Sequence, residues 1–180
     1  MVGCMTVFVG RHGAPAFEFA VEYYAHRTVP EPGSPDTLSA LGEYAAAGMG
    51  KELLGKGFFV PGEDMRVALS RHPLAEETAY LAGFPDNRWV QSALLDEVEL
   101  DMGPAALGAM LAKNKLPQAV LRHAALITEH PPEPRFWITH GLVIAGLCKV
   151  LGVPTRPLVP DYGEIRMLPL DRAASLSYGS

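Results

Sequence analysis

Short apolar runs alternate with helical segments along most of this 180-residue chain. Three of these runs, at residues 5–10, 66–70 and 136–139, are mainly apolar and show no polar–apolar alternation. Such runs are typical of strands that are buried on both faces. Because helical periodicity returns after each run, the sequence predicts an α/β fold, a three-layer α/β/α sandwich with a mostly parallel central sheet.

The remaining elements follow from periodicity and from the positions of glycine and proline. Helices are predicted over residues 38–54, 73–82, 104–113, 116–129 and 142–151. An extended segment is predicted over 90–95 and a last strand over 163–168. Loops are predicted at about 28–36 and at 130–134, with Asp36 or Thr37 capping the first helix and a frayed C-terminal tail.

Composition limits the classes of protein that need to be considered. Hydrophobic residues make up 48% of the chain and charged residues 19%, which favours one folded domain over residues 1–180. The formal net charge of −5 argues against a surface that neutralises nucleic-acid phosphates. Since the chain has no run of Lys or Arg, we expect no membrane partner either, and the sequence leaves the oligomeric state open.

The two cysteines, Cys4 and Cys148, lie in apolar segments and are predicted to be buried free thiols, which fits a reducing compartment. The apolar N-terminal run is about nine residues long and has no basic lead-in, so it reads as a first strand rather than a signal peptide or a membrane span. We therefore expect a cytoplasmic protein.

Two His-Gly pairs stand where predicted strands end, His12-Gly13 and His140-Gly141. In parallel α/β sheets ligands bind beyond the carboxyl ends of the strands, so both pairs are expected at one site. The alternative interpretation is structural. Gly13 could supply an unusual backbone angle in a polar turn, and His140 could be a core histidine with satisfied hydrogen bonds.

Five segments carry recognisable motifs: VFVGRHG at 7–13, DTLSALG at 36–42, ALS and AEETA within 68–79, LDE at 95–97 and ITHGLVI at 138–144. In this order they resemble motifs of the histidine-phosphatase superfamily, the phosphoglycerate-mutase-like proteins. One match of this kind would be weak evidence. Five matches in the family's order cover the chain from about residue 5 to residue 144 and are specific.

The resemblance implies a phosphatase that hydrolyses a phosphomonoester of a small molecule through a phosphohistidine on His12. Arg11, His140 and Gly141 would bind the phosphoryl group, and Glu97 would be the proton donor. Phosphoryl transfer spreads negative charge over three oxygens, and cationic side chains would stabilise that charge. No metal and no other cofactor is therefore expected.

The chain departs from the family pattern at the second arginine, where Leu74 stands. Arg71 and His72 lie at the same turn, and Arg71 is predicted to bind phosphate in place of the missing arginine, although a surface arginine is the alternative.

Two more features of the candidate site stay open. The proton donor is one of them, because Glu97 has acidic neighbours at Asp96, Glu99 and Asp101. The other is the segment after the RHG motif, APAFE at 14–18, which lacks the family's usual polar residues and predicts a more apolar, reshaped mouth.

Two other functions remain open beside the phosphatase. A catalytically weakened phospho-ligand binder of the same fold is supported by Leu74, and a phosphohistidine protein phosphatase is a further possibility. A mutase is less favoured, because the resemblance implies an inserted segment for which the chain has no room. Specificity would come from the segments near 17–36, 58–64 and 100–117, whose shapes the sequence does not give.

Overall fold

The computed structural model describes residues 6–15, 37–56 and 66–170. Three of the predictions lie outside these ranges: the loop at 28–36, the environment of Cys4 and the C-terminal tail. The same holds for the candidate specificity segments near 17–36 and 58–64. Of the segment 14–18, on which the reshaped mouth was predicted, only residues 14 and 15 are described.

Five strands form one sheet: β1 (Thr6–Arg11), β2 (Val67–Leu69), β3 (Trp89–Gln91), β4 (Phe136–Thr139) and β5 (Ile165–Pro169). Their order across the sheet is β3-β2-β4-β1-β5. The four strands from β3 to β1 are parallel, whereas β5 pairs with β1 in the antiparallel direction. The predicted mostly parallel sheet is therefore confirmed.

The helices are α1 (Ala40–Gly55), α2 (Pro73–Leu81), α3 (Pro104–Ala112), α4 (Gln118–Glu129) and α5 (Gly141–Val150). Each lies within two residues of its predicted bounds. The cap of α1 differs from the prediction, because the Ser39 side chain accepts a hydrogen bond from the Gly42 N–H. The extended segment predicted to residue 95 ends at Gln91, and a single 3₁₀ turn follows at Ala93–Leu95.

The two faces of the sheet carry separate apolar cores, as the alternation of side chains along a strand requires. On one face, Trp137 packs with residues of α4 and α5 such as Ile127 and Leu147. On the other face, Ile138 packs with residues of α1 and α2, among them Leu53 and Ala79. The molecule thus has the three layers that the sequence predicted. Cys148 belongs to the first core and is a buried free thiol.

Close packing of α1 against the segment after β1 explains why a glycine, Gly42, stands inside this helix. The Ser39 N–H donates to the Ala14 carbonyl at 2.9 Å. A Cβ on Gly42 would collide with the same carbonyl oxygen, so only glycine permits this approach. Glycine reduces helix propensity, but Gly42 lets α1 hold the turn that follows β1.

Parallel pairing brings the carboxyl ends of β1, β2 and β4 to one edge of the sheet, with Arg11 in register with Thr139. Residues that follow these three strands therefore meet there. None of the helices in the described ranges is long and apolar enough to cross a membrane.

Candidate active site

The turn after β1 is held on both sides. The His12 N–H donates to the Thr139 carbonyl at 3.1 Å, which ties the turn to the end of β4. The Gly13 N–H donates to the Thr78 hydroxyl at 2.9 Å, and that hydroxyl donates to the Leu74 carbonyl at 2.6 Å. The turn is therefore fixed relative to β4 and α2, and His12 has little freedom to move.

The His12 ring is buried, and one of its two nitrogens is occupied. Nδ1 lies 2.7 Å from the Gly13 carbonyl oxygen. A carbonyl oxygen can only accept, so Nδ1 carries the proton and Nε2 carries the lone pair in the neutral ring. Burial lowers the pKa of His12 well below its usual value, and the nearby His140 and Arg11 lower it further. The ring is therefore neutral at physiological pH.

Arg11 is buried and lies against His12 under a loop that precedes β5, here called the 157–164 loop. Its Nη1 donates to the Pro160 carbonyl at 2.7 Å, and its guanidinium carbon lies 3.6 Å from the centre of the Tyr162 ring. The Tyr162 ring is also 5.8 Å from the His12 ring. These contacts fix the plane of the guanidinium beside the His12 ring.

The 157–164 loop is anchored by a second buried arginine. Arg166 of β5 donates to the Leu158 and Pro157 carbonyls at 2.9 and 2.8 Å and to a Glu164 carboxylate oxygen at 2.8 Å. The loop backbone also joins β1 directly, because the Gly163 N–H donates to the Arg11 carbonyl at 3.1 Å. The fold thus places Tyr162 over Arg11.

His140 follows β4 and stands at the N-terminus of α5. Its ring centre lies 4.9 Å from that of His12, and its Nε2 is 2.9 Å from the Ser70 hydroxyl. Burial, and to a smaller extent the neighbouring His72, lowers the pKa of His140 to about 4, whereas Asp96 acts in the opposite direction. In the free protein His140 is neutral at pH 7.

Gly141 begins α5 and lets Arg11 come close to the helix terminus. A Cβ at this position would lie 3.0 Å from Arg11 Nε and 2.7 Å from a methyl carbon of Val159. The first backbone N–H groups of a helix have no partner within the helix, and the helix dipole favours negative charge there. The N-terminus of α5 therefore suits an anion that binds near the Arg11 guanidinium and the rings of His12 and His140.

A cleft of about 720 Å³ opens beside His140. Of the four acidic residues considered as proton donor, three line it, Asp96, Glu97 and Glu99. Asp96 is engaged, because its oxygens accept hydrogen bonds from the Ser70 hydroxyl at 3.1 Å and from the Arg71 N–H at 2.7 Å. Glu97 also lines the cleft and is exposed to solvent.

The ionisation of Asp96 sets it apart from its neighbours. Partial burial alone would raise its pKa, but hydrogen bonds from the side chain and backbone of Arg71, with one from Ser70, outweigh burial. The pKa of this carboxyl therefore lies below its usual value. An ionised carboxylate with these partners is a poor proton donor, which favours Glu97 over Asp96 for that role.

Leu74, at the position of the family's second arginine, and Arg71, its predicted substitute, have different surroundings. Leu74 is 5% exposed and packs in an apolar cluster with Leu38, Ala46 and Leu81. Arg71 lies on the wall of the cleft, where its Nη2 is 2.6 Å and its Nε 2.7 Å from an Asp96 oxygen. Its side chain is 61% exposed. One edge of the guanidinium thus bonds to Asp96, and much of the side chain faces solvent.

Sequence reasoning missed some residues of the site and assigned another role to one of them. Ser70, Thr78 and Tyr162 had no assigned role, and Asp96 was considered only as an alternative proton donor. Ser70 and Thr78 belong to a segment that resembles a family motif, and this was the available signal for them. Tyr162 had none, because it meets Arg11 only through the antiparallel pairing of β5 with β1.

The other histidines lie apart from this cluster where the structure describes them. His123 bonds through Nε2 to the Leu94 carbonyl at 2.9 Å, and His130 is exposed at the end of α4. Within residues 6–15, 37–56 and 66–170, no group of three or more His, Cys, Asp or Glu side chains is arranged to hold a metal ion.

No protein-family model matches this chain, and neither does any curated protein. Solved structures do match. TTHB049 from Thermus thermophilus is 19% identical, with a TM-score of 0.60 over 91% of this chain and 92% of that one. A phosphoglycerate mutase from the same organism is 20% identical, with a TM-score of 0.59 over 91% and 92%.

YhfR from Bacillus stearothermophilus is similar to the same degree, with 20% identity and a TM-score of 0.56 over 90% of this chain and 89% of that one. At these identities the comparison establishes the architecture. The chain has the phosphoglycerate-mutase-like fold, as its resemblance to the histidine-phosphatase superfamily predicted.

Proposed function

We propose that this protein is a metal-independent phosphatase that hydrolyses a phosphomonoester through a phosphohistidine on His12. A phosphoglycerate mutase has the same fold, which supports phosphoryl transfer in general. The observation that carries the proposal is the state of His12. Its Nδ1 donates to the Gly13 carbonyl and its pKa is held low by burial, so Nε2 is an unprotonated nucleophile at neutral pH.

In the first step Nε2 of His12 attacks phosphorus, the N–P bond forms and the P–O bond to the leaving group breaks. Glu97 transfers its proton to the leaving oxygen. Arg11 and the N-terminus of α5 stabilise the charge on the three equatorial oxygens. His140 contributes a charged donor once the bound dianion favours its protonated form.

In the second step water attacks the phosphohistidine. The O–P bond forms, the N–P bond breaks, and the Glu97 carboxylate takes the proton of the attacking water. Inorganic phosphate leaves, and His12 returns to its neutral form with the lone pair on Nε2. The charges are balanced by protein groups throughout, and the expectation that the reaction needs no metal remains part of the proposal.

Turnover of p-nitrophenyl phosphate, with and without EDTA, tests this proposal. We expect the parent protein to release phosphate equally in both conditions, and His12→Ala to lose activity by at least about a thousandfold, as for removal of a covalent nucleophile. Circular dichroism of the variant is the control for folding. EDTA-sensitive turnover, or turnover that survives in a folded His12→Ala protein, would overturn the proposal.

A phospho-ligand binder with little turnover is the second candidate. It is favoured by Leu74, which is buried among apolar side chains where the family has an arginine, and by Asp96, which already engages Arg71. A binder would bind phosphate or vanadate without hydrolysing any ester in a screen of phosphorylated metabolites and phosphohistidine peptides. Hydrolysis of any one of them at an ordinary enzymatic rate excludes it.

A further inference from the structure

The Ser70 hydroxyl lies between a histidine of the site and a carboxylate that the proposed reaction does not use. Ser70 is fully buried after β2, where its N–H donates to the Ile138 carbonyl at 3.0 Å. Its Oγ is 2.9 Å from His140 Nε2 and 3.1 Å from an Asp96 oxygen. Asp96, Ser70 and His140 thus form a hydrogen-bonded series that runs from the cleft to the His140 ring.

The positions of the protons in this hydrogen-bonded series follow from the donors and acceptors around Ser70 Oγ. The His72 backbone N–H donates to Ser70 Oγ at 3.2 Å, so this oxygen already accepts one hydrogen bond. Asp96 is ionised and can only accept, so the single hydroxyl proton of Ser70 points to it. The remaining lone pair of Oγ then accepts from His140, which places the His140 proton on Nε2.

The opposite arrangement would leave a contact between two acceptors. If Ser70 donated to His140, its oxygen would face the Asp96 carboxylate at 3.1 Å with no proton between them. At a buried hydroxyl such a contact costs the desolvation of both oxygens. The geometry therefore selects one tautomer of His140, and Nδ1 is the ring nitrogen that gains a proton when the ring becomes charged.

Asp96 is itself held firmly. Oδ1 accepts from the Arg71 backbone N–H at 2.7 Å, and Oδ2 accepts from Arg71 Nε at 2.7 Å. A carboxylate with bonds to a backbone amide and to a guanidinium has a defined orientation. The Arg71 contacts therefore keep the Asp96 carboxylate directed toward Ser70.

We propose that Asp96, acting through Ser70, is a positioning residue that holds His140 as the Nε2–H tautomer and stabilises its cationic form when a phosphoryl group binds. This inference rests on the proposed function for the identity of the anion. It gives Asp96 a role different from that of a proton donor. When a phosphate dianion binds, His140 takes up a proton from solvent on Nδ1, and the positive ring then lies between the dianion and the Ser70–Asp96 pair.

The charge on His140 has several other neighbours. The cationic Arg11 and the rings of His12 and His72 surround it from β1 and from the start of α2. Glu97 and Glu99 line the cleft together with Asp96. Any test must therefore separate the bonded path through Ser70 from the general effect of nearby carboxylates.

Nitrogen-15 NMR of the histidine rings in the full chain, with and without inorganic phosphate, provides this test. In the parent protein at about pH 7 we expect neutral His140 with its proton on Nε2. In Asp96→Asn and in Ser70→Ala we expect a mixture of tautomers and a His140 pKa that rises less on phosphate binding. Phosphate affinity should fall roughly 3- to 10-fold, the range for one hydrogen bond of ordinary strength.

Glu99→Gln is the matched control, because it removes one negative charge from the same cleft without touching Ser70. It should keep the parent's His140 tautomer and phosphate affinity. The inference is overturned if Asp96→Asn and Ser70→Ala both keep the parent tautomer and pKa, or if Glu99→Gln changes them equally. Should Asp96→Asn fail to fold, Ser70→Ala alone decides, since it leaves the Arg71–Asp96 pair in place.

These measurements are independent of turnover. A protein that binds phosphate but hydrolyses nothing would fail the proposed function and could still show the tautomer and its dependence on Asp96. Conversely, an active phosphatase in which His140 has its proton on Nδ1 would keep the proposed function and lose this inference.

Discussion

Three histidine rings lie close together at the carboxyl edge of the sheet. The ring centres of His12 and His140 are 4.9 Å apart, and those of His140 and His72 are 5.6 Å apart. Burial keeps His12 and His140 neutral in the free protein, so their charges do not repel. In the proposed reaction a bound dianion changes this balance at His140, while His12 stays neutral and acts as the nucleophile.

A single side-chain contact, that of the Tyr162 ring with Arg11, holds the guanidinium that we propose binds phosphate. Replacing Tyr162 by Ala removes the ring that lies 3.6 Å from the Arg11 guanidinium carbon. We expect vanadate affinity to fall by about 2- to 30-fold, the span from an exposed to a desolvated cation–π contact, because the Arg11 guanidinium is buried and Tyr162 is half-buried. Tyr162→Phe keeps the ring and should weaken binding much less than Tyr162→Ala. Fluorescence or calorimetric titration measures this.

Tyr80→Ala, at an exposed tyrosine of α2, is the control and should leave vanadate affinity unchanged. If Tyr162→Phe weakens binding as much as Tyr162→Ala, then the hydroxyl rather than the ring is important, and the stacking account is wrong.

At the scale of elements, the sequence predicted most of the architecture. The strands β1, β2 and β4 are continuous apolar runs, and α2 begins at a proline, so local patterns were sufficient for them. The three-residue β3 overlaps the extended segment predicted over 90–95 only at Val90 and Gln91. The prediction ran too far because Ala93–Leu95 continues the apolar pattern but forms a 3₁₀ turn.

The candidate site was predictable only where local motifs exist. Arg11, His12 and His140 follow or end strands and resemble family motifs, and the structure brings their side chains together. Asp96 and Tyr162 meet the site through contacts between residues far apart in the chain, such as that of Tyr162 with Arg11. No local pattern encodes such pairs, so sequence reasoning could only leave Asp96 as one of several acids.

At the scale of the whole molecule, the buried neutral histidines make stability depend on pH. The folded pKa values of His12 and His140 lie below the unfolded value of about 6.5. Above that pH both rings are neutral in the folded and in the unfolded chain, so they do not lower the free energy of unfolding. Below it the unfolded chain binds protons that the folded chain does not, so stability is lost until pH reaches the folded pKa, about 4 for His140.

We therefore expect the free energy of unfolding to fall between about pH 7 and pH 5, by up to about 1.4 kcal/mol per pH unit for each histidine. Urea denaturation across this range measures the slope, which should be much smaller in His12→Asn/His140→Asn. His130→Asn, at an exposed histidine, should keep the parent slope. An unchanged slope in the double variant would show that other groups control acid stability.

The most direct test of the whole account is to trap the phosphoenzyme. The protein is mixed with a phosphomonoester that it hydrolyses, quenched in alkali where phosphohistidine survives, digested and mapped by mass spectrometry. We predict a phosphoryl group on His12 that appears within the first turnover and is absent in His12→Asn. Turnover without a phosphoenzyme, or a phosphoryl group on His72 or His140 instead, would contradict the account.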